Sequence, residues 1–178
     1  MTYFLAKERL REQLKPALTI GGPFRMASGA ISDTMLDLSK VLREHKTQEA
    51  LAEMFRQSNL LRFDAVGGPV CGSDLVCAAL CRAGIAPHWF GVRKEEKGRG
   101  YDNGAITGNL SPGDRVLVVE DVCTSGGTLI RAIREIRKFG AEVGSVLTVV
   151  DRGGLLNVAS EFPSAPTKAL FLLDELRV

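Results

Sequence analysis

Runs of consecutive apolar residues alternate along the chain with segments whose apolar positions recur at helical spacing. Val116 to Val119 form an apolar run typical of a parallel strand buried on both faces. The same kind of pattern predicts strands at 63–68, 88–92, 143–150 and 169–173. Helical spacing predicts helices at 2–18, 47–58, 74–82 and 129–139. Strands that alternate with helices predict an α/β fold with a doubly wound, mainly parallel sheet and right-handed crossovers.

The N-terminal region has a different pattern. The sequence Ile20-Gly21-Gly22-Pro23 is predicted to end the first helix, and two short strands follow at 24–29 and 34–38. Thr47 is expected to cap the next helix. A length of 178 residues suits a single domain, 1–178, and leaves no room for a second hydrophobic core.

Composition and charge narrow the range of partners. The chain has 23 basic and 21 acidic residues, a net charge of +2, so no overall field recruits nucleic acid or an anionic membrane. No stretch approaches the length of a membrane span. The four cysteines stand in core-like contexts without disulfide or zinc spacing, which indicates a reducing compartment, the cytoplasm.

Candidate chemistry is concentrated between Arg115 and Thr128. The acids Glu120 and Asp121 follow the apolar run, so we expect them at the carboxyl end of a strand. The segment Thr124-Ser125-Gly126-Gly127-Thr128 then opens a predicted helix, and its glycines, hydroxyls and free N–H groups suit a phosphate. The alternative is an ordinary βα turn, which has no use for an acid pair beside such a loop.

Two further segments could hold anions. The glycine-rich turn from Gly67 to Ser73 could offer backbone N–H groups to a pyrophosphate, or be a simple tight turn. The segment from Arg93 to Gly104 holds four basic residues and three glycines, which predicts a mobile, solvated loop. A plain surface charge run is its alternative, although a long loop between two core strands is usually functional.

A phosphate cradle, an acid pair and a cationic loop together match one type of ligand. A substrate with a phosphate, a diol and a pyrophosphate would occupy all three, and phosphoribosyl pyrophosphate (PRPP) carries these groups. Its 5-phosphate would lie in the cradle at Thr124–Thr128 and its ribose hydroxyls at Glu120 and Asp121. The basic loop would meet the charge of the departing pyrophosphate.

The sequence VLVVEDVCTSGGT resembles the PRPP-binding motif of the type I phosphoribosyltransferases. Within that superfamily the chain resembles the orotate phosphoribosyltransferases over nearly its whole length, including an RKxxK segment at 93–97 and the pair Asp151-Arg152. The resemblance implies the type I fold, with a small hood from about 1–40 plus C-terminal residues and a core at about 45–160. It also implies transfer of phosphoribose from PRPP to orotate, giving orotidine 5′-monophosphate for pyrimidine synthesis.

Site roles carried over from this resemblance remain expectations for this chain. Lys97, Arg99 and Asp121 are expected to be catalytic, and Thr124 and Arg152 to bind orotate. Magnesium ion is expected to arrive with PRPP, without an assigned protein ligand. The residues expected to bind PRPP are Arg93, Lys94, Lys97, Glu120, Asp121, Val122, Cys123, Thr124, Ser125, Gly126, Gly127 and Thr128.

The resemblance further implies a homodimer with shared active sites. Arg93 is expected to act in its own chain, and Lys94, Lys97 and Arg99 across the interface. Three positions depart from the family pattern: Arg99 replaces a histidine, Ala27 a lysine and Met35 a tyrosine. These departures leave open a phosphoribosyltransferase for another base, and a non-catalytic PRPP-sensing regulator is the other alternative. Cys123 is not expected to be a nucleophile, because no histidine lies near it in the sequence.

Overall fold

The computed structural model describes residues 2–25, 29, 31–58, 61–97 and 104–177, and only the backbone of 95–97. Its strands are β1 Leu18–Arg25, β2 Ile31–Leu36, β3 Ala65–Pro69, β4 Trp89–Lys97, β5 Gly104–Gly108, β6 Arg115–Cys123, β7 Glu142–Asp151 and β8 Thr167–Leu172. Its α-helices are α1 Tyr3–Leu14, α2 Ser39–Leu42, α3 His45–Arg56, α4 Asp74–Arg82, α5 Gly127–Phe139 and α6 Leu155–Glu161. Two 3₁₀ turns span Lys15–Ala17 and Leu173–Leu176.

Strands β3 to β8 form the central sheet in the order β5-β4-β3-β6-β7-β8. All neighbouring pairs are parallel except β4 and β5, which are antiparallel. The predicted α/β fold with a doubly wound, mainly parallel sheet is therefore confirmed. The parallel crossovers run through helices, which cover both faces of the sheet.

Strand β6 shows why the sheet needs helices on both sides. Val116 and Val118 pack into the cluster that includes α5 and α6, whereas Leu117 and Val119 pack into the cluster that includes α1, α3 and α4. All four side chains are fully buried. The continuous apolar run follows from this arrangement, since successive side chains point to opposite faces of a strand.

The strand order places one switch point between β3 and β6. From β3 the chain runs outward to β4 and β5, then returns beside β3 as β6 and continues outward through β7 and β8. Ligands of doubly wound sheets bind at such a point, outside the carboxyl ends of the strands. The loops after β3 and β6 therefore lie side by side there.

The N-terminal region differs in detail from the sequence prediction. Helix α1 ends at Leu14, not at residue 18, because Pro16 enters the 3₁₀ turn and lacks the N–H that an α-helix requires. Strand β1 starts at Leu18, and the predicted break at Gly21-Gly22-Pro23 is a bulge within it. Strands β1 and β2 pair with each other in a separate two-stranded antiparallel sheet.

Other boundary predictions were also wrong. Thr47 is not an N-cap, since α3 begins at His45 and Thr47 is buried within the helix. The loop predicted from Arg93 to Gly104 is shorter, because β4 continues through Lys97 and β5 begins at Gly104. Antiparallel pairing satisfies backbone groups that a free loop would expose to water. Residues 98–103, which include Arg99, lie outside the described part of the chain.

The four cysteines are free thiols, although Cys71 is exposed and does not occupy the core-like position that the sequence predicted. Among the helices of the described residues, none combines the length and apolar character needed to cross a membrane.

Candidate active site

The acid pair lies near the carboxyl end of β6, at the switch point. Glu120 is only 9% exposed, and Asp121 is partly exposed beside it. The glycine-rich turn after β3 reaches this pair, because a Cβ added to Gly72 would lie 2.7 Å from Oδ1 of Asp121. Gly68 is equally constrained, since a Cβ there would collide with the carbonyl oxygen of Val119. Glycine at both positions lets β3 and the turn after it approach β6 closely.

Burial alters the ionisation of both acids. Burial and the neighbouring Asp121 carboxylate raise the pKa of Glu120 to about 8. Burial raises the pKa of Asp121, and the carboxylate of Asp37 adds to that rise. Asp37, which follows β2, thus belongs to the surroundings of the acid pair. A proton on Glu120 near neutral pH relieves the repulsion between the two acids.

We predict that Glu120→Gln raises thermal stability at high pH. A folded-state pKa of about 8, against an ordinary value of 4.5, favours the protonated form in the folded state. The resulting stabilisation is complete below the ordinary value and is lost as pH rises through the folded pKa. Glutamine imitates the protonated form, so the variant should melt roughly 5 °C above the wild type at pH 9. Melting curves from pH 5 to 9 test this, and equal slopes for both proteins would contradict it.

The loop from Thr124 to Thr128, the expected phosphate cradle, leads from β6 into helix α5. Gly126 has φ +80°, and helix α5 begins at the next residue. Thr124, Ser125, Gly127 and Thr128 are exposed, and among the described residues no protein acceptor is recorded for the N–H groups of Ser125 and Thr128. Free N–H groups at a helix start attract anions, so the cradle suits a phosphate.

Helix α6 supports this cradle from behind. A Cβ on Gly126 would lie 2.6 Å from the carbonyl oxygen of Gly154, and Asn157 donates from Nδ2 to the carbonyl oxygen of Ser125 at 3.0 Å. Sequence reasoning missed both α6 and Asn157. A polar residue three positions after a glycine pair carries no local signal of such a distant contact.

Gly126→Ala should destabilise the protein strongly. The left-handed φ costs an alanine about 1–2 kcal/mol, and contact with Gly154 adds to this cost, so we expect the melting temperature to fall by roughly 10 °C. Gly113 is the matched control, with φ +87° and nothing within 4 Å of an added Cβ. Gly113→Ala should show strain alone, a fall of about 3 °C. Equal falls by calorimetry would show that Gly154 does not constrain the cradle.

A cationic strand end lies next to the cradle. Lys94 and Arg131 line a cavity of about 340 Å³ together with Val70, Gly127 and Thr128. Arg131 on α5 donates to the carbonyl oxygens of Arg93 at 2.7 Å and Lys94 at 3.3 Å, which fixes the end of β4 against the cradle helix. Arg131 is a second residue that sequence reasoning missed, because its acceptors are backbone carbonyl oxygens of a strand 37 and 38 positions earlier in the chain.

Arg152, one of the two residues expected to bind the base, follows β7, which lies on the opposite side of β6 from β3. The backbone N–H of Arg152 donates to the carbonyl oxygen of Cys123 at 2.8 Å, which joins the turn after β7 to the start of the cradle. Oδ1 of the buried Asp151 accepts hydrogen bonds from the N–H groups of Gly153 and Leu155 and so fixes the same turn. The side chain of Arg152 extends toward β2, where it donates to Ser32 Oγ and to the carbonyl oxygen of Thr34, both at 3.4 Å.

The structure therefore brings together most of the site expected from the sequence. One edge of the sheet, formed by the carboxyl ends of β4, β6 and β7, carries Lys94, Glu120, Asp121, Thr124–Thr128 and Arg152. Val122 and Cys123 end β6, and Cys123 is buried, where burial first and nearby acids second raise the pKa of its thiol to about 12. The side chain of Arg93 does not line the cavity beside Lys94, and donates to Thr107 Oγ1 on β5 at 3.0 Å. Ala27 and Arg99 lie outside the residues that the structure describes, and so does the side chain of Lys97.

The same region contains the candidate metal ligands of the site. Within the described residues no three His, Cys, Asp or Glu side chains are grouped so that they could hold a metal ion. The acid pair offers hard oxygen ligands of the kind that magnesium accepts. Because Glu120 carries a proton near neutral pH, Asp121 is the member of the pair that fits an ion already coordinated by a phosphorylated substrate.

A phosphate cradle, a buried acid pair and a cationic strand end at one switch point define a phosphoribosyltransferase. In agreement, residues 94–162 match the model of the phosphoribosyl transferase domain. An orotate phosphoribosyltransferase of Aquifex aeolicus is 36% identical over 165 residues, 86% of either chain. The chain belongs to the orotate phosphoribosyltransferase family.

Solved structures show the same similarity in three dimensions. A phosphoribosyltransferase from Corynebacterium diphtheriae superposes with a TM-score of 0.81 at 31% identity, over 98% of this chain and 99% of the other. Orotate phosphoribosyltransferase of Mycobacterium tuberculosis H37Rv, crystallised in complex with PRPP, gives a TM-score of 0.73 at 25% identity over 97% and 92% of the two chains. The type I phosphoribosyltransferase fold expected from the sequence is confirmed.

Proposed function

We propose that this chain transfers the phosphoribosyl group of PRPP to orotate and releases orotidine 5′-monophosphate and pyrophosphate in pyrimidine synthesis. The observation that carries the proposal is the position of Glu120 and Asp121 beside the cradle at the β3–β6 switch point. Membership of the orotate phosphoribosyltransferase family supports orotate as the acceptor.

PRPP would bind across the two loops at the switch point. The cradle at Thr124–Thr128 receives the 5-phosphate, and Asp121 and Glu120 accept hydrogen bonds from the ribose hydroxyls. The turn from Gly67 to Ser73 approaches Asp121 closely enough for its backbone to meet the pyrophosphate. Lys94 lines a cavity with Gly127 and Thr128 of its own chain, so we assign Lys94 to the site of its own subunit.

The reaction is a displacement at the anomeric carbon of the ribose. The bond to pyrophosphate breaks and its electron pair leaves with the pyrophosphate, while a ring nitrogen of orotate forms the new bond and gives its proton to the departing pyrophosphate. Positive charge develops on the ribose as the old bond lengthens. The carboxylate of Asp121 stabilises this charge, and the cationic residues at 93–99 stabilise the departing pyrophosphate. Positioning and charge complementarity replace a covalent nucleophile, consistent with the buried, protonated state of Cys123.

We further propose that magnesium enters with PRPP and that Asp121 contributes to holding it. When bound, the ion neutralises charge on the pyrophosphate and aids its departure.

The exposed thiol of Cys71 is consistent with a reducing compartment, which supports a cytoplasmic enzyme.

Orotate recognition is assigned to Arg152 and Thr124. A guanidinium fork matches the carboxylate and imide edge of orotate. Met35, which stands where the family has a tyrosine, is the register partner of Thr19. Its side chain lies on the face of β2 opposite to those of Ser32 and Thr34, so it does not point toward the residues that contact Arg152. The methionine at position 35 therefore does not argue against orotate as the acceptor base.

The direct test is turnover with orotate, PRPP and magnesium, followed by the loss of orotate absorbance. We expect steady consumption of orotate that depends on all three components. Protein that binds PRPP but leaves orotate unchanged would rule out the proposed function. The binding measurement separates this result from a badly folded preparation.

The active sites are proposed to be shared within a homodimer, with Lys97 acting on the partner's site. Subunits carrying Lys97→Ala, mixed with subunits carrying Asp121→Asn, should then form hybrids with one complete site. A random mixture should recover about a quarter of wild-type activity, as two-fold symmetry dictates. Each variant alone is the control. If the mixture stays as inactive as its components, Lys97 acts within its own subunit.

A further inference from the structure

The two-stranded sheet of β1 and β2 exposes more than half of its side chains, although Leu18 and Leu36 are partly buried against the core. Within these strands only Thr34 is buried, with no measurable exposure. An isolated two-stranded sheet is marginally stable in water, so its position depends on contacts made from outside it. Those contacts matter for the active site, because Arg152 donates to this sheet.

Arg177 makes a charge-assisted hydrogen bond to the side chain of Thr34, and its Nη2 also lies 3.8 Å from Oδ1 of Asp33. The guanidinium Nη2 donates to Thr34 Oγ1 at 2.8 Å, and the same hydroxyl donates to Asp33 Oδ1 at 2.8 Å. Nη1 of Arg177 lies 3.3 Å from Asp174, which holds the guanidinium against the 3₁₀ turn at 173–176. One arginine therefore connects that turn to the buried residue of β2.

The backbone of Thr34 connects this contact to Arg152. Ser32 Oγ donates to the carbonyl oxygen of Thr34 at 2.9 Å and accepts from its N–H at 3.1 Å, which fixes the backbone between the two residues. Nη2 of Arg152 donates to both the same carbonyl oxygen and Ser32 Oγ at 3.4 Å. Arg177 binds the side chain of Thr34. The main-chain carbonyl oxygen of Thr34 in turn accepts a hydrogen bond from Arg152.

We propose that Arg177 is a positioning residue for Arg152 and thereby sets the affinity for the acceptor base. This inference rests on the proposed function, since Arg152 is assigned there to the base. Arg177 fixes Thr34, the Ser32–Thr34 segment orients the guanidinium of Arg152, and the acceptor binds to that guanidinium. Phosphate and pyrophosphate recognition lie on loops that Arg177 does not contact.

The kinetic test compares the two substrates. Arg177→Ala should raise KM for orotate about tenfold and leave KM for PRPP within about twofold, because one charge-assisted hydrogen bond to the base side is lost. Arg177→Lys keeps a donor for Thr34 and should recover part of the loss. An equal rise in both KM values, or none in either, would overturn the proposal.

Lys7→Ala is the matched control for general loosening of the turn. Lys7 pairs with Glu175 at 2.9 Å and stabilises the same 3₁₀ turn without a contact to Thr34. This variant should leave KM for orotate unchanged. A similar rise in Lys7→Ala would show that any loosening of the turn suffices and would count against a specific role for Arg177.

Thr34→Val supplies an independent variant that removes the hydroxyl and leaves Arg177 intact. If Arg177 acts through Thr34, the double variant should show the same KM for orotate as either single variant. If the increases in KM for orotate of the two single variants multiply in the double variant, Arg177 does not act through Thr34. Hydrogen exchange of residues 31–36 gives a substrate-free reading, which should be faster in Arg177→Ala and unchanged in Lys7→Ala.

The exchange measurement also separates the two proposals. Failure of the wild type to consume orotate would remove the proposed function, while faster exchange at 31–36 would still support the contact between Arg177 and Thr34. Unchanged exchange in Arg177→Ala, with normal orotate turnover by the wild type, would overturn the positioning role alone.

Discussion

Asp121→Asn is expected to lower kcat/KM for phosphoribosyl transfer by about a thousandfold, the largest effect of any single change at this site. Asp121 is the more exposed of the two acids and lies against Gly72 of the neighbouring turn, where ribose and pyrophosphate meet. Its negative charge stabilises the positive charge that develops on the ribose. Asparagine keeps the shape but removes that charge.

Glu120→Gln is the matched comparison, and we expect it to cost less than about tenfold at pH 7. The pKa of Glu120 is raised to about 8, so at pH 7 this side chain is mostly neutral, as glutamine is. Steady-state kinetics of both variants, with PRPP affinity measured by calorimetry, tests the difference. Equal losses in the two variants would show that the acids act as one unit.

Arg152→Ala should lower kcat/KM for orotate by about a hundredfold through KM for orotate, with the affinity for PRPP nearly unchanged. Arg152 lies on the turn after β7, fixed by Asp151 and by its own N–H bond to Cys123. Removal of the guanidinium leaves the orotate carboxylate without its charged partner. Arg152→Lys should recover little, since an ammonium cannot donate as a planar fork.

The control for Arg152 is Arg134→Ala, which removes an exposed arginine of α5 that pairs with Glu161 at 2.7 Å. This variant should keep wild-type constants for both substrates. Initial rates with each substrate varied in turn provide the comparison. A large loss of PRPP affinity in Arg152→Ala would place Arg152 in the phosphate site instead of the base pocket.

The parts of the fold that the sequence predicted well are those with local causes. Strand β6 is buried on both faces, so Val116–Val119 is apolar throughout, and the turn at Gly126 needs a left-handed residue. Helix α4 at 74–82 has the predicted bounds, because its apolar face recurs at helical spacing. Each of these features can be predicted from a few neighbouring residues.

The parts that the sequence did not predict depend on distant partners. Strand β5 carries only five residues and gains its backbone hydrogen bonds from β4, so a charged segment that looks like a loop becomes strand at both ends. Arg131 and Asn157 act through backbone carbonyls on other elements. Arg177 reaches Thr34, which lies 143 positions away in the chain. The spacing of apolar and polar residues along the chain does not predict contacts between residues so far apart.

Phosphoribosyl transfer to orotate can be tested by a competition among acceptor bases. One mixture would contain the protein, magnesium, PRPP and equal amounts of orotate, uracil, adenine and hypoxanthine, with products identified by mass spectrometry. We predict orotidine 5′-monophosphate as the sole nucleotide formed, with an equimolar amount of pyrophosphate. Formation of a nucleotide from another base, or of no nucleotide while PRPP stays bound, would contradict the claim.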